Sequence, residues 1–401
     1  MKKFFILFLA IFLANAAFAQ WFQLSSVPSR KFTSVYFINP AKGYITTADD
    51  YPGPCWKIGA IYLTINGGGY WTEKFGACGL YSIFFPSNDT GYVSSWYIDG
   101  KSYTAKTTNG GFWEASSFNN GIVPWLWYSV FFVNTEIGYG VGNAFYKTSN
   151  GGATWIQLPI GIDAGDLKSV YFTDEQNGYA VSYKDSSKGY ILKTSNAGMS
   201  WFIQDSCNAG GLKSIFFVDQ NTGFAVGGNN NGVIFKTTNG GIEWTENVFT
   251  QTTGPFHSVY FTDVLNGYVV GAKGFIMKTI DGGTTWNNQY SGTIEDLYAV
   301  HFPASDTGYA VGTNGTVLKT TNGGGFPTGF SNKYSSDNTL KIHPNPASDI
   351  FTISPSTIGN LILMDLSGQQ IFQQELIEPN AVINVSSLKK GVYLLKGISK
   401  N

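Results

Sequence analysis

One phrase recurs seven times along the chain at an almost constant spacing. The copies read LTINGGGYW (63–71), KTTNGGFW (106–113), KTSNGGATW (147–155), KTSNAGMSW (193–201), KTTNGGIEW (236–244), KTIDGGTTW (278–286) and KTTNGGGFP (319–327). The central residues are Asn66, Asn109, Asn150, Asn196, Asn239, Asp281 and Asn322, separated by 43, 41, 46, 43, 42 and 41 residues. Such a repeat indicates a chain built from seven equivalent structural units.

A second phrase keeps step with the first and shows what each unit contains. It reads TSVYF (33–37) in the first unit, KSVYF (168–172) in the fourth and YAVHF (298–302) in the seventh, and a Gly-aromatic pair follows each copy. Each unit therefore holds four short β-rich runs separated by turn residues. The 49 glycines and the 16 % aromatic content suit tight turns between aromatic strands. Four strands per unit, repeated seven times, are typical of β-propeller blades.

The seventh phrase has Pro327 where the other six have Trp. The missing strand is found near the start of the chain, where WFQLSS (21–26) matches WIQLPI (155–160). We predict that this N-terminal strand, led by Trp21, completes the last blade and closes the ring, which removes the open sheet edge. An open β-solenoid is the alternative, but it gives the strand shared between the two ends no purpose. The predicted fold is all-β: a seven-bladed β-propeller over residues 20–328, closed by the N-terminal strand.

The repeated turn has a mechanical explanation. Glycine adopts positive φ without steric cost, as a tight hairpin requires. The Asn or Asp side chain can accept hydrogen bonds from N–H groups within the turn, and we expect the following Trp to fill space between adjacent blades. The seven central Asn and Asp residues are therefore predicted to be structural.

Residues 1–19 are typical of a secretory signal peptide. Lys2 and Lys3 precede an apolar run at 4–13, and Ala17-Phe18-Ala19 forms an A-x-A cleavage site. A retained anchor is the alternative, but the run is short for a membrane span. We expect cleavage and a mature chain that begins near Gln20, without a transmembrane segment.

Charge and cysteine content narrow the function further. The net charge of −1 predicts no general attraction to nucleic acid or to an anionic membrane. Cys55 and Cys78 are the expected disulfide pair in an oxidising compartment, which leaves Cys207 over; three unpaired thiols are the alternative. No C-x-x-C motif or Cys/His cluster is present, so we expect neither a metal nor another cofactor.

The T-x-N-G-G-x-T-W phrase resembles the Asp-box, or BNR, repeat. The third copy matches that pattern at Thr148, Asn150, Gly152, Thr154 and Trp155, with Asn in place of Asp. Together with the SVYF and GYAVG phrases, the repeat resembles the photosystem II assembly-factor type of seven-bladed propeller. That resemblance implies the fold over residues 21–328. In that family a basic, arginine-bearing face is implicated in partner binding, and this chain has a single arginine, Arg30, so we expect no photosynthetic role.

Asp-box propellers also include enzymes. Sialidases need three arginines to hold the substrate carboxylate, and one arginine excludes that activity. Xyloglucanase-type glycosidases are more similar, with seven-bladed propellers and paired aspartates, although they usually have two propellers with the cleft between them. The loop acids that could form such a pair, or simply be solvated, are Asp49, Asp50, Asp99, Asp163, Asp166 and Asp296.

The blades differ most in their loops. The candidate ligand contacts are loop aromatic residues, which suit stacking on sugars or anchoring of a protein partner, with packing over blade edges as the alternative. They are Trp96, Tyr97, Trp125 and Trp127. We interpret His257 and His301, on or beside innermost strands, as structural or channel-lining residues rather than catalysts.

The repeat ends near Gly329. Residues 329–340 form a polar linker, and 341–401 contain alternating strands with glycine turns that predict a small C-terminal β-sandwich. This segment resembles the C-terminal sorting domain of type IX secretion substrates in Bacteroidota. The matching residues are Pro344, Asn345, Pro346, Asp365, Leu366, Gly368, Leu388, Gly391 and Tyr393. The resemblance implies the type IX secretion machinery as a partner and export through the periplasm.

The sequence therefore predicts a secreted or outer-membrane surface propeller that binds an unknown protein or glycan. A glycan-cleaving enzyme of the Asp-box kind and an assembly factor for envelope proteins are the alternatives. We expect a binding protein rather than an enzyme, and the sequence predicts no catalytic residue.

Overall fold

The structure is a computed structural model that describes most of the repeat region and parts of the C-terminal segment. The described residues are 21–24, 29–50, 57–95, 103–117, 127–325, 341–343, 350–354, 358–364, 370–375, 381–386, 388 and 394–399. Ala19–Thr328 form one compact unit, and Gly329–Asn401 belong to a second. The predicted signal peptide and linker lie outside the described residues. No helix in the described part is long and apolar enough to span a membrane.

Seven antiparallel sheets make up the propeller, confirming the predicted fold. Blade 1 contains β2 (Phe32–Phe37), β3 (Gly43–Thr47), β4 (Asp49–Asp50), β5 (Lys57–Thr64) and β6 (Thr72–Cys78); β1 (Phe22–Gln23) belongs to blade 7. Blade 2 contains β7 (Leu80–Phe84), β8 (Gly91–Ser95), β9 (Tyr103–Thr107) and β10 (Glu114–Ser117). Blade 3 contains β11 (Trp127–Phe132), β12 (Gly138–Gly142), β13 (Phe145–Thr148) and β14 (Ile156–Leu158). Blade 4 contains β15 (Asp166–Phe172), β16 (Gly178–Tyr183), β17 (Gly189–Thr194) and β18 (Phe202–Cys207).

The remaining blades follow the same order. Blade 5 contains β19 (Leu212–Phe217), β20 (Gly223–Gly228), β21 (Gly232–Thr237) and β22 (Thr245–Phe249). Blade 6 contains β23 (Phe256–Phe261), β24 (Gly267–Gly271), a 3₁₀ turn (Ala272–Gly274), β25 (Ile276–Thr279) and β26 (Asn287–Gln289). Blade 7 contains β27 (Leu297–His301), β28 (Gly308–Gly312), β29 (Val317–Thr320) and β1. The SVYF phrase is the first, inner strand of each blade, and the buried GYAVG phrase is the second.

Adjacent blades are joined by aromatic stacking. The ring that follows the glycine in the GYAVG phrase stacks on the last Phe of the next blade's SVYF phrase, with centroid distances of 3.6 Å for Tyr309–Phe37 and 3.7 Å for Tyr92–Phe132. The Trp of the repeat phrase meets the same Phe edge-on, as Trp155 meets Phe132 at 5.8 Å. Stacked and T-shaped pairs are both favourable geometries for aromatic rings. That Phe stacks on the preceding blade, and Trp21 also meets Tyr268 of blade 6 edge-on at 6.4 Å, so the Trp packs at the blade boundary.

The N-terminal strand closes the ring as predicted. β1 pairs antiparallel with β29, with Phe22 opposite Lys319 and Gln23 opposite Leu318. Trp21 is 2 % exposed, and its ring lies 5.8 Å from Phe302, edge-on, at the place that the repeat Trp occupies in the other blades. The two ends of the propeller chain thus share one sheet, and β1 supplies the fourth strand of blade 7.

The repeat turns are built by their Thr and Asn or Asp side chains. In blade 3 the backbone N–H of Gly152 donates to Thr148 Oγ1 at 2.9 Å, and that of Thr154 donates to Asn150 Oδ1 at 2.9 Å. Gly152 has φ +79°, a left-handed conformation that glycine tolerates and other residues rarely adopt. Equivalent contacts hold the other described turns, including the one around Asp281.

The C-terminal unit contains two three-stranded antiparallel sheets. Its strands are β30 (Lys341–His343), β31 (Ile350–Ser354), β32 (Ile358–Met364), β33 (Gln370–Glu375), β34 (Ala381–Asn384) and β35 (Leu394–Ser399). One sheet has the order β30-β31-β34 and the other β33-β32-β35. Two such sheets are what the expected sandwich requires, and their packing against each other stays a prediction.

Candidate functional site

The two faces of the propeller have different characters. Because neighbouring strands are antiparallel, connections alternate between the faces. One face, which we call the turn face, carries the short turns after the inner strands and the repeat turns. The opposite loop face carries the connections between the second and third strands and those between blades. The sequence segments that differ most between blades, including 47–60, 95–101 and 119–129, belong to connections of the loop face.

Seven aromatic rings form a closed belt around the axis of the propeller. They come from the same position of every inner strand, and each lies 4.5–5.8 Å, centroid to centroid, from the next. The members of this belt are Tyr36, Phe84, Phe131, Tyr171, Phe216, Tyr260 and His301. The belt narrows the axial channel and gives it an aromatic floor when viewed from the loop face.

His301 completes the belt at the closing seam. The inner-strand serine of one blade accepts a hydrogen bond from the next blade's backbone at several seams, as Ser34 accepts from Ile83 N at 3.3 Å. Blade 7 has Ala299 at that position, and the seam is instead joined by the N–H of Phe37, which donates to His301 Nδ1 at 3.3 Å. Burial lowers the pKa of His301 to about 3, so the imidazole is neutral and can accept this bond. The structure therefore agrees with a structural role for His301.

A β-bulge occurs at the same place in every inner strand. It lies three residues before the belt residue, on the side of the loop face. In blade 1 the pairing with β3 shifts between Phe32 and Ser34, and the six other inner strands shift at the equivalent residue. A bulge re-aims the side chain of the extra residue. We call the seven bulge residues the bulge ring: Thr33, Tyr81, Tyr128, Lys168, Lys213, His257 and Tyr298. All seven are half-buried.

The bulge ring is a connected polar layer. Lys168 Nζ lies 3.4 Å from the ring centroid of Tyr128 and 3.1 Å from the carboxylate of Asp166. Lys213 Nζ lies 3.3 Å from His257 Nδ1, and the His257 ring is 4.8 Å from that of Tyr298. Contacts of these side chains across blade boundaries place them side by side around the axis.

The electrostatics of this layer are unusual for a protein of almost zero net charge. Burial lowers the pKa of Lys213 to about 8, with Lys168 and Lys31 acting in the same direction and Asp296 opposing them. Burial, followed by repulsion from Lys213 and Lys31, lowers the pKa of His257 to about 3. At neutral pH His257 is therefore uncharged, while three lysine side chains converge on the channel.

The predicted ligand contacts are only partly within the described residues. Trp96, Tyr97 and Trp125 lie outside them. Trp127 is 1 % exposed and packs edge-on against Trp155 at 4.8 Å. Its side chain belongs to the blade core, so the interpretation of Trp127 as a ligand contact does not fit the structure, because strand β11 begins at Trp127 itself.

The described loop acids are already engaged in structural contacts. Asp49 accepts a hydrogen bond from Arg30 at 2.9 Å, and Asp296 accepts one from the Lys273 backbone N–H at 2.8 Å. Asp163 pairs with Lys184, as Asp166 does with Lys168. The side chain of Asp50 and residue Asp99 lie outside the described residues. The described part also contains no cluster of three metal-ligating side chains.

The cysteines and the sorting residues complete the comparison with the predicted sites. Cys78 is disulfide-bonded and Cys207 is a buried free thiol. This supports the proposed pairing of Cys78 with Cys55, which lies outside the described residues. The predicted sorting-signal residues Pro344, Asn345, Pro346, Gly368, Gly391 and Tyr393 also lie outside them.

Sequence reasoning missed the lysines of the bulge ring, although a signal was present. The phrases KSVYF, KSIFF and HSVYF differ from the other copies in their first letter, which is the bulge residue. A position that varies while its neighbours repeat is where units of equal structure can differ in function.

Comparisons with known proteins agree with this architecture. The family model of the photosynthesis system II assembly factor YCF48 matches residues 247–325, and that of the secretion system C-terminal sorting domain matches residues 341–401. No curated protein matches the chain. A solved structure of YCF48 bound to D1 peptide has a TM-score of 0.57 at 16 % identity, covering 75 % of this chain and 96 % of that one.

Two further structures are similar. YCF48 from Cyanidioschyzon merolae has a TM-score of 0.58 at 19 % identity, covering 75 % of this chain and 98 % of that one. The GH74 xyloglucanase from Xanthomonas campestris has a TM-score of 0.58 at 12 % identity, covering 76 % of this chain and 53 % of that one. At these identities the likeness is one of fold. The chain is thus a seven-bladed propeller similar to YCF48, followed by a C-terminal sorting domain. That domain indicates secretion or display at the cell surface through the type IX system.

Proposed function

We propose that the protein is an exported binding protein whose loop face, centred on the axial channel, engages a ligand outside the cell. The observation that carries this proposal is the bulge ring. The seams use aromatic stacking and, at five of them, a serine hydrogen bond that repeats from blade to blade, whereas the bulge ring gathers lysine, histidine and tyrosine around the axis. Polar side chains that converge in a concave site are typical of ligand recognition.

The contacts of the loop acids favour binding over glycan cleavage. A glycosidase needs a proton-donating carboxylic acid with a raised pKa and a second carboxylate across the scissile bond. Hydrogen bonding and attraction by Lys184 instead lower the pKa of Asp163. Asp49, Asp166 and Asp296 are held by Arg30, Lys168 and the Lys273 backbone. Structural roles account for these four acids.

The export route determines the compartment in which the protein would meet its ligand. We propose that residues 1–19 are a cleaved signal peptide, that the chain comes from a member of the Bacteroidota, and that the sorting domain then directs it across the outer membrane. The ligand would therefore be an extracellular or surface molecule, and we propose a glycan or a protein of that compartment. An envelope assembly factor would require a protein ligand at the same face.

The purified full chain tests this proposal on an array of microbial and host glycans, with reducing-end release measured in parallel. Binding without release supports the proposal, whereas release that disappears on replacing a loop aspartate by Asn would assign the chain to the glycosidases. If no glycan binds, cross-linking on intact cells tests for a protein ligand. The absence of both would refute the proposed function.

A further inference from the structure

Lys213 is a cation of the bulge ring that no described carboxylate contacts, although Asp296 attracts it from a distance. Among the residues that the structure describes, no carboxylate lies within 4.0 Å of Lys213 Nζ. Its hydrogen-bond contact is with His257 Nδ1 at 3.3 Å. A cation that is surrounded by protein without an opposite charge is costly. A bound anion would remove that cost.

His257 fixes the position of the Lys213 ammonium group. An ammonium group can only donate, so Nδ1 accepts from Lys213 and the proton of the neutral imidazole lies on Nε2. His257 Nε2 is enclosed by protein, as several indole Nε1 atoms are, so it does not face the axial opening. The contact of His257 that bears on a ligand is therefore the one with Lys213.

The surroundings restrict what kind of anion fits. The channel is floored by the aromatic belt, and its wall at this depth carries Tyr81, Tyr128 and Tyr298 as well as the basic residues. None of the seven bulge residues is aliphatic. Phenol hydroxyls and ring faces suit a hydroxylated sugar better than the apolar side chain of a peptide C terminus. A lysine ammonium group suits a carboxylate.

We propose that the axial opening binds the carboxylate of a uronic acid through the ammonium group of Lys213, which His257 orients through Nδ1. This rests on the proposed function and specifies its ligand class: an acidic glycan that presents a uronate, or the free sugar acid. Lys168 already contacts Asp166, so it contributes by long-range attraction. Lys213 makes the direct contact, and His257 is a positioning residue.

The test uses the full chain and sodium glucuronate, titrated by ligand-detected NMR and calorimetry. Lys213→Met keeps the length of the side chain and removes its charge. We expect it to weaken binding about tenfold or more, because a hydrogen bond to a charged group is lost. Lys74→Met removes the same charge from an exposed position on β6 and serves as the matched control. It should bind like the parent protein.

Folding is checked separately from binding. Lys213→Met should not lower the melting temperature, since the folded protein disfavours the charged lysine. His257→Gln, which keeps an acceptor for Lys213, should retain more binding than His257→Ala. If the Met variant fails to fold, the two His257 variants still decide the question, because binding that neither of them weakens would overturn the site.

Binding should also weaken between pH 7 and pH 9, as Lys213 loses its proton, and stay level between pH 5 and pH 7. The charged and titratable groups around Lys213 are Lys31, Lys168, His257, Asp166 and Asp296. The level range follows because the pKa of His257 is about 3, well below it.

Four outcomes separate the inference from the proposed function. Glucuronate binding that is lost in Lys213→Met and kept in Lys74→Met supports both. Glycan binding that Lys213→Met leaves unchanged overturns the axial site but not the proposed function. Equal binding of glucose and glucuronate overturns the carboxylate assignment. Binding of a short peptide through its C-terminal carboxylate, without glucuronate, would overturn the uronate and favour a protein ligand.

Discussion

Replacing Trp21 by Ala tests how strongly the N-terminal strand closes the propeller. Residues near a chain end usually tolerate substitution, because terminal segments fray. Trp21 differs, since it is 2 % exposed and its ring contacts Phe302 and Tyr268 at 5.8 and 6.4 Å. Replacing a buried Trp by Ala costs about 3–5 kcal/mol. The unfolding entropy of a propeller of roughly 300 residues converts this to a fall of about 5–8 °C in melting temperature.

The neighbouring Phe22 provides the matched control. It follows Trp21 directly as the first residue of β1, but its side chain is 40 % exposed. Phe22→Ala should therefore cost less than about 1 kcal/mol. Differential scanning calorimetry of both variants measures the difference. A fall for Trp21→Ala of less than about 2 °C, or equal to that of Phe22→Ala, would show that the strand adds little to the closed ring and would refute the reasoning.

Three further changes address the seams, the turns and export. Tyr179→Phe removes a hydroxyl that donates to Gly240 O at 2.8 Å, and a urea titration should show a loss of about 1 kcal/mol; an unchanged midpoint would mean that this interblade bond adds nothing. Burial acts to raise the pKa of Asp281, but hydrogen bonds from Thr285 outweigh it and lower that pKa to about 2. The stability that Asp281 contributes is therefore present above about pH 4 and is lost toward pH 2. Asp281→Asn should therefore lose less stability than the parent between those pH values; identical acid titration curves would contradict this. Deleting 341–401 should leave a folded propeller in the periplasm, and its normal appearance outside the cell, judged by fractionation, would show that the segment is not a sorting signal.

The fold could be predicted because each blade repeats the same local solution. The N-G-G turn, the aromatic inner strand and the Trp each have one physical role, and seven copies make the roles visible. The closure of the ring could also be predicted from a local sequence match, that between WFQLSS and WIQLPI. β1 pairs with β29 in the structure, so the sequence comparison identified a contact that spans nearly the whole propeller.

Of the four loop aromatic residues, Trp127 is the one that the structure describes, and it is not a loop residue. Trp127 was assigned to a loop because it lies just before the repeated inner-strand phrase of blade 3. The structure begins β11 at Trp127 itself, and Gly140 of the neighbouring strand leaves room for its ring: a Cβ at that glycine would lie 2.2 Å from the indole. Packing on a glycine of the next strand cannot be read from the sequence of the loop alone.

The bulge ring could not be predicted because it depends on a shift of one residue. Strict alternation from Tyr36 would direct Ser34 and Phe32 toward the channel and Thr33 into the blade. The bulge reverses this beyond Ser34, so Phe32 becomes fully buried and the residue after it reaches the channel wall. In blades 4 and 5 that residue is Lys168 or Lys213. Nothing in the S-V-Y-F pattern indicates a bulge, and without one these lysines would be assigned to the blade interior, where a cation has no ligand to meet. The proposed uronate site therefore depends on a bulge that every inner strand repeats. The side chain at the bulge can differ from blade to blade, while the belt and the seams stay the same.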